Sequence, residues 1–235
     1  MCYCIFCFLS FSVCKSIDIR SKVSQFEKLR NCTVIEGHLR ISLIGTRENV
    51  NYDHLSFPEL VEITDYLMLY RVNGLKSLSK LFPNLAVLRG HSPFHNYALI
   101  IYELQDLIEI GLPSLQVIHN GGVRLTRNPL LCFIQTIDWN RLNVSKSGLD
   151  FMDNKEESSC ANYCPERCNT SHNGFSDVRR CWNQNLCQKN LSKYSWRWYP
   201  PFELKSFRFT FSWHWFIDST FKDIITSRCS VACPR

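Results

Sequence analysis

The sequence carries no catalytic constellation. It has no G-x-S-x-G elbow, no H-E-x-x-H pair, no phosphate-cradling glycine run, and neither the H-R-D nor the D-F-G of a kinase. The seven histidines (His38, His54, His91, His95, His119, His172 and His214) do not pair at metal-ligand spacing. His38 precedes a strand-like run and reads as a turn residue. Glu156 and Glu157 sit in a polar stretch and read as solvated rather than catalytic. No cofactor is expected. A basic surface for nucleic acid is missing too. The formal charge is +6, but residues 189–235 hold eight Lys/Arg against three Asp/Glu, so residues 1–188 are near neutral. No transmembrane segment is expected. Met1–Cys14 is apolar but too short to span a bilayer, and the aromatic tail is interrupted by Lys205, Arg208, Asp218, Lys222 and Asp223.

What the sequence does have is a repeat between Val34 and Leu131. Pro-x-Leu followed by Ile or Leu occurs at Pro58/Leu60/Ile63, Pro83/Leu85/Leu88 and Pro113/Leu115/Ile118. A second echo places two branched apolar residues before a glycine, at Val34-Ile35-Glu36-Gly37, Val87-Leu88-Arg89-Gly90 and Val117-Ile118-His119-Asn120-Gly121. Alternation follows, in Leu39-x-Ile41-x-Leu43, Leu67-x-Leu69 and Val123-x-Leu125. Repeats of this length mark stacked units that bury their apolar faces on one another. Alternation at period two makes the units strands, so the expected architecture is a β-solenoid. Arg40 and Ser42, Met68 and Tyr70, and Arg124 and Thr126 then point outward onto one sheet face, with Phe94, Asn96, Tyr97 and Ile100 on the third turn. Met and aromatics beside Arg are enriched at protein interfaces. The competing reading is an ordinary half-apolar surface. Some parallel β-helices are polysaccharide lyases or hydrolases, but those have longer coils and clustered charges, whereas this face offers at most one Arg per turn.

Thirteen cysteines suit an oxidised, extracellular protein. Ile19, Val23, Phe26 and Leu29 recur at helical spacing, which predicts a short amphipathic helix within Ser16–Arg30. A Cys14–Cys32 bridge would staple it over the open end of the coil. Cys132 to Cys160 closes the other end, with Ile134, Ile137 and Trp139 as apolar cover, and Asn143–Glu157 reads as a polar surface loop. Cys160 to Cys187 is cysteine-dense and poor in apolar residues, so bridges rather than a core should hold it. Zinc is the rival reading for Cys160-x3-Cys164-x3-Cys168. Met1–Cys14 reads as a secretory signal without its basic start, with a buried strand or a mis-called start codon as alternatives. Sequons stand at Asn31, Asn143, Asn169 and Asn190, as in a secreted glycoprotein. Residues 189–235 hold 12 of the 31 aromatics, and Phe207-x-Phe209-x-Phe211-x-Trp213-x-Trp215 alternates like a strand.

Asn31-Cys32-Thr33-Val34-Ile35-Glu36-Gly37-His38-Leu39 resembles the opening of the first L domain of the insulin and insulin-like growth factor receptors. So do Leu55-Ser56-Phe57-Pro58-Glu59-Leu60, Ile63-Thr64-Asp65-Tyr66-Leu67, Leu81-Phe82-Pro83-Asn84-Leu85, Asn96-Tyr97-Ala98-Leu99 and Thr136-Ile137-Asp138-Trp139. The resemblance runs from about residue 14 to 189, ending in Arg180-Cys181-Trp182 and Cys187-Gln188-Lys189. It implies a right-handed β-helix, a leucine-rich-repeat-like solenoid, followed by a small disulfide-stapled, furin-like cysteine-rich segment. The divisions it implies are a signal peptide over 1–13, a receptor L domain over 14–159, a partial cysteine-rich region over 160–188, and an unmatched tail over 189–235. It further implies the bridges Cys14–Cys32, Cys132–Cys160, Cys164–Cys181 and Cys168–Cys187.

The family's hormone-binding sheet face, carried over position by position, falls on Asp18, Arg20, Arg40, Leu43, Tyr70, Phe94, Asn96, Ile100, Glu103 and Arg124. The implied partners are an insulin-like peptide hormone and a second receptor chain, on the extracellular side. Ser42, Gly45 and His95 depart from the larger apolar residues of insulin-binding relatives. After Lys189 the family continues through a second L domain, fibronectin domains, a membrane span and a kinase, and Asn190–Ser227 matches none of these. The expectation is a binding fragment that is not an enzyme and has no signalling element. It would be a decoy, a truncated isoform, or the product of a retained intron. The rival is an assembly module that pairs with a receptor chain without hormone.

Overall fold

A computed structural model describes residues 12–45, 50–168 and 180–189. The expected signal over residues 1–13 lies almost wholly outside them. So do the tail beyond residue 189, the sequons at Asn169 and Asn190, and Cys2, Cys4, Cys7, Cys229 and Cys233.

The described residues are β-dominated, and every pairing between the named strands is parallel. Nine strands follow in order: β1 (Val13–Arg20), β2 (Val34–Ile44), β3 (Glu62–Ile63), β4 (Leu67–Val72), β5 (Val87–Leu88), β6 (Tyr97–Tyr102), β7 (Val117–Ile118), β8 (Gly122–Thr126) and β9 (Leu149–Met152). β1 and β2 are long enough to run through two ladders. The N-terminal half of β2 continues into β3, β5 and β7, where Ile35, Ile63, Leu88 and Ile118 stand in register. Its C-terminal half continues into β4, β6, β8 and β9, through Leu39, Leu67, Leu99, Val123 and Leu149. The chain alternates between the ladders; the passages within β2, from β5 to β6 and from β7 to β8 turn at the echo glycines Gly37, Gly90 and Gly121, whereas Thr64-Asp65-Tyr66 joins β3 to β4 without one. Gly90 shows why the residue is needed there. Its φ is +65°, and an added Cβ would lie 1.9 Å from the Asn120 carbonyl oxygen.

The inward residues of both ladders meet the returning segments in one core. Ile41, Leu69, Ile101 and Leu125 from the strands pack with Leu78, Phe82, Leu104, Leu107, Ile110 and Leu115 from the returns. The leucines of the three Pro-x-Leu motifs, Leu60, Leu85 and Leu115, belong to this core. Two asparagines, the buried Asn128 and the half-buried Asn154, tie the returns to the strands. Asn128 accepts from the Leu104 amide at 3.0 Å and donates to the Ile101 carbonyl at 3.2 Å, and Asn154 donates to Leu125 at 2.7 Å.

Several expectations are corrected. The helix expected within Ser16–Arg30 is a strand followed by a 3-10 helix over Val23–Leu29. Ile19 belongs to the strand, because pairing Ile17 and Ile19 with Leu39 and Ile41 buries both inward. Phe26 and Leu29 are the helix's buried residues. The polar stretch Asn143–Glu157 contains β9, which adds a rung beyond β8. Leu43 does not continue the inward alternation. It takes a left-handed φ of 55°, and Ile44 occupies the buried position instead. Thr126 lies on the outward face but is buried.

All four bridges implied by the resemblance are present, with Cα–Cα distances of 5.7, 5.6, 5.6 and 5.1 Å. Cys160, Cys164 and Cys168 are each bonded to a different partner, which leaves no thiolate for zinc and overturns that reading. The cysteine-rich start is held by more than bridges. Trp182 is fully buried in the main core, edge-on to Trp139 at 6.4 Å. Among the described residues no helix is long and apolar enough to cross a membrane.

Candidate functional site

The outward face of the longer ladder is organised in columns, because parallel in-register strands place equivalent residues on top of one another. One column reads Asp18, Arg40, Met68, Ile100, Arg124, Asp150. Two residues on, a second reads Arg20, Ser42, Tyr70, Tyr102, Thr126, Met152. The residues immediately after these, Ser21, Leu43, Arg71, Glu103, Arg127 and Asp153, all have positive φ, between 49° and 66°. The same left-handed bend therefore recurs at one register position on every rung.

The middle of the face is a depression of about 450 Å³ lined by Met68, Phe94, Ile100, Tyr102, Arg124 and Met152 among others. Ile100 is 3% exposed and forms its floor, so it offers little surface of its own. Phe94, His95, Tyr97 and Tyr102 are its aromatic lining, and further rings pack behind them. His38 stacks on Tyr66 at 4.9 Å, Tyr66 meets Phe94 at 5.5 Å, and Phe94 meets His95 edge-on at 4.5 Å. Tyr70 stacks on Tyr102 at 5.5 Å. His95 and Asn96 form a left-handed turn that closes Phe94 onto Tyr97 through reciprocal backbone bonds of 3.0 and 2.9 Å.

Charges on the face are mostly paired within the protein. Arg40 donates to Asp18 at 2.5 Å, and Arg124 donates to Asp150 at 2.7 Å while lying 4.9 Å over the Tyr97 ring. Arg71, Glu103, Arg127 and Asp153 alternate in sign along the left-handed column, with successive contacts of 2.5, 3.1 and 3.8 Å. Both Glu103 oxygens are therefore committed to arginines of neighbouring rungs. The Arg20 side chain is exposed and has no ion pair among the described residues.

The Arg40 hydrogen bond holds the Asp18 carboxyl below its usual range, and the Arg71 hydrogen bond does the same for Glu103. A depressed carboxylate contributes its stabilisation above the ordinary carboxylate range, and that contribution is lost as pH falls through the lower, folded value. Thermal midpoints measured between pH 7 and 3 should show a shallower acid limb for Glu103→Gln than for the unmodified chain. Coincident limbs would contradict the ladder's role.

Of the ten positions carried over from the resemblance, nine lie on or beside this face, and Ile100 lies under it. Tyr66, Arg71, Tyr102, Arg127, Asp150 and Met152 also build the face and were not picked out from the sequence. Tyr102 could have been found two places after Ile100, as Tyr70 follows Met68. Of the sequons, Asn31 is exposed, in a left-handed turn beside Cys32. The Asn143 amide nitrogen donates to the carbonyls of Ile118 and His119 at 3.3 and 3.2 Å. A glycan linked to that nitrogen would remove one of its two hydrogens.

Residues 31–143 match the family model "Receptor L domain". The chain is 52% identical over 178 residues to the insulin-like peptide receptor of Branchiostoma lanceolatum, covering 75% of this chain and 13% of that protein. It is 50% identical over 181 residues to the putative molluscan insulin-related peptide(s) receptor of Lymnaea stagnalis, covering 77% and 11%. To the insulin receptor of Xenopus laevis it is 46% identical over 186 residues, covering 75% and 14%. The chain thus spans about an eighth of the length of these relatives. The matched region is an extracellular receptor L domain and not a kinase. The four bridges, the parallel ladders and these matches together show that the chain belongs to the insulin and insulin-like growth factor receptor family, whose receptor L domain it carries.

Proposed function

We propose that the chain is the ligand-binding region of an insulin-like receptor and that it binds insulin-like peptides through the columned face of its longer ladder. The observation that carries this is the depression itself. It is an apolar floor of Met68 and Ile100 beside the rings of Phe94, Tyr97 and Tyr102, rimmed by arginines whose charges are largely neutralised in place. Such a site rewards an amphipathic peptide that buries apolar side chains at the centre and leaves its polar edge to the rim. Asp18, Arg20 and Arg40 supply polar anchoring at one end. Tyr70 and Phe94 supply the apolar hot spot, and Asn96, Glu103 and Arg124 supply the rim. Relatives named as insulin-like and insulin-related peptide receptors support the ligand class. The alternation of the chain between two parallel ladders supports reading the L domain as a right-handed β-helix. The exposed Asn31 is the glycan acceptor we favour among the described sequons. The proposal concerns the face, which serves equally in a released, hormone-sequestering fragment and in a longer membrane receptor.

Insulin titrated into the chain by calorimetry should give a saturable but weak isotherm, near micromolar, or about −8 kcal/mol. Phe94→Ala and Tyr70→Ala should each weaken it at least about tenfold, as loss of a buried aromatic anchor does. Arg20→Ala should weaken it less. A folded chain that shows no saturable binding at high micromolar ligand would reject hormone binding in favour of an assembly role. Unchanged affinity in both aromatic variants would reject the face.

A further inference from the structure

One polar group at the edge of the face is placed as though waiting for a partner. His38 lies on β2 with its ring parallel to Tyr66, at 4.9 Å and 8°. Its side chain is 22% exposed, and its Nε2 is buried with no hydrogen-bond partner. That atom stands 3.6 Å from Asp18 Oδ1, just beyond hydrogen-bond reach. The same carboxylate oxygen already accepts from Arg40 Nε at 2.5 Å. The titratable and charged groups around the ring are Asp18 on β1, Arg40 on β2, and Tyr66 with its neighbour Asp65 in the turn before β4. His95 stands beyond Phe94 at the far end of the aromatic wall.

Neutral His38 leaves Asp18 with one cationic partner, Arg40, and with most of its negative charge available to a ligand donor. Protonated His38 puts a second cation on Asp18, and the charge is further favoured by the Tyr66 ring face. Histidine is the side chain whose charge ordinarily changes in the mildly acid range. We propose that His38 is a positioning residue for Asp18, and that its protonation withdraws Asp18 from the ligand and weakens binding as pH falls. This rests on the reading that Asp18 contacts the ligand.

The test measures insulin affinity for the full chain at pH 7.5 and 6.0, and takes the ratio of the two dissociation constants. That ratio should be about threefold larger for the unmodified chain than for His38→Gln, the size of one partly exposed charge pair. Asp18→Asn should give the same ratio as His38→Gln, and His95→Gln should keep the unmodified ratio whatever its affinity. Ionisations of insulin itself are common to all four proteins and cancel. Saturable binding with equal ratios in the unmodified chain and His38→Gln overturns the proposal and leaves the face intact. Absence of saturable binding at pH 7.5 overturns the face, and His38's role toward the ligand with it.

Discussion

Glu62→Ala should lower folding stability by about 3–5 kcal/mol, the size expected when one member of a buried ion pair is removed. Glu62 and Arg89 are 6% and 8% exposed, on neighbouring rungs of the shorter ladder. Arg89 reaches Glu62 through both Nε and Nη2, the latter at 3.1 Å, which is a bidentate arrangement. Beside the pair lies a small apolar cluster of Ala86, Val87 and Val117, with Val61 packed against it. Truncating the carboxylate therefore strands a guanidinium where water does not reach it. Replacing both partners, as Glu62→Leu with Arg89→Met, removes the stranded charge and should recover most of the loss. Urea unfolding with the disulfides intact measures all three proteins. Equal losses in the single and double variants would show that packing, not the unpaired charge, is responsible.

Trp182→Ala should cost a comparable amount, about 3–5 kcal/mol, by opening a cavity that the surroundings fill only in part. Trp182 is the largest fully buried side chain among the described residues, and it joins the start of the cysteine-rich segment to the core of the ladders. Its neighbour Cys181 donates its amide to the Thr136 carbonyl at 3.2 Å, and the Thr136 hydroxyl returns a bond to the Cys181 carbonyl at 2.8 Å. Gln188 and Asp138 add two more bonds across the same seam, at 2.8 and 3.0 Å. Loss of the indole should therefore also free residues 180–189 for limited proteolysis, while the bridges to Cys164 and Cys168 keep them attached. Trp182→Phe should lose less than half as much. A loss under about 1 kcal/mol for Trp182→Ala, smaller than the range for a buried aromatic, would show that the bridges alone hold the segment.

The repeat was legible because burial imposed it. Ile63, Leu88 and Ile118 stack in register, and the same register made their spacing visible in the sequence. The outward positions Arg40, Tyr70 and Arg124 followed from alternation alone. β9 was hidden by its brevity and by Asp150, whose charge looks like a loop residue until Arg124 is placed beside it. The strand at Val13–Arg20 was hidden by a coincidence of spacing, since Ile19, Val23, Phe26 and Leu29 satisfy a helical period although the first pairs with β2 and the others do not. Trp182 was missed because a segment so rich in cysteine and so poor in apolar residues gave no sign of sharing another segment's core. The ion pairs of the face could not be read at all. Glu103 meets Arg71 and Arg127 at sequence separations of 32 and 24, unequal distances that only the folded register brings together. The left-handed residues at the rung ends were equally opaque. Leu43, Arg71, Glu103 and Arg127 hold that conformation through tertiary context, not through a preference for it.

The central claim is that the depression on the longer ladder takes the ligand. The chain has three methionines, and two of them, Met68 and Met152, line that depression. Methyl-labelled methionine therefore reports on the site with almost no background. On titration with insulin, the Met68 and Met152 methyl signals should both shift and saturate together, at the concentration set by the calorimetric dissociation constant. Insulin that binds saturably while both signals stay fixed would place the ligand elsewhere and contradict the account.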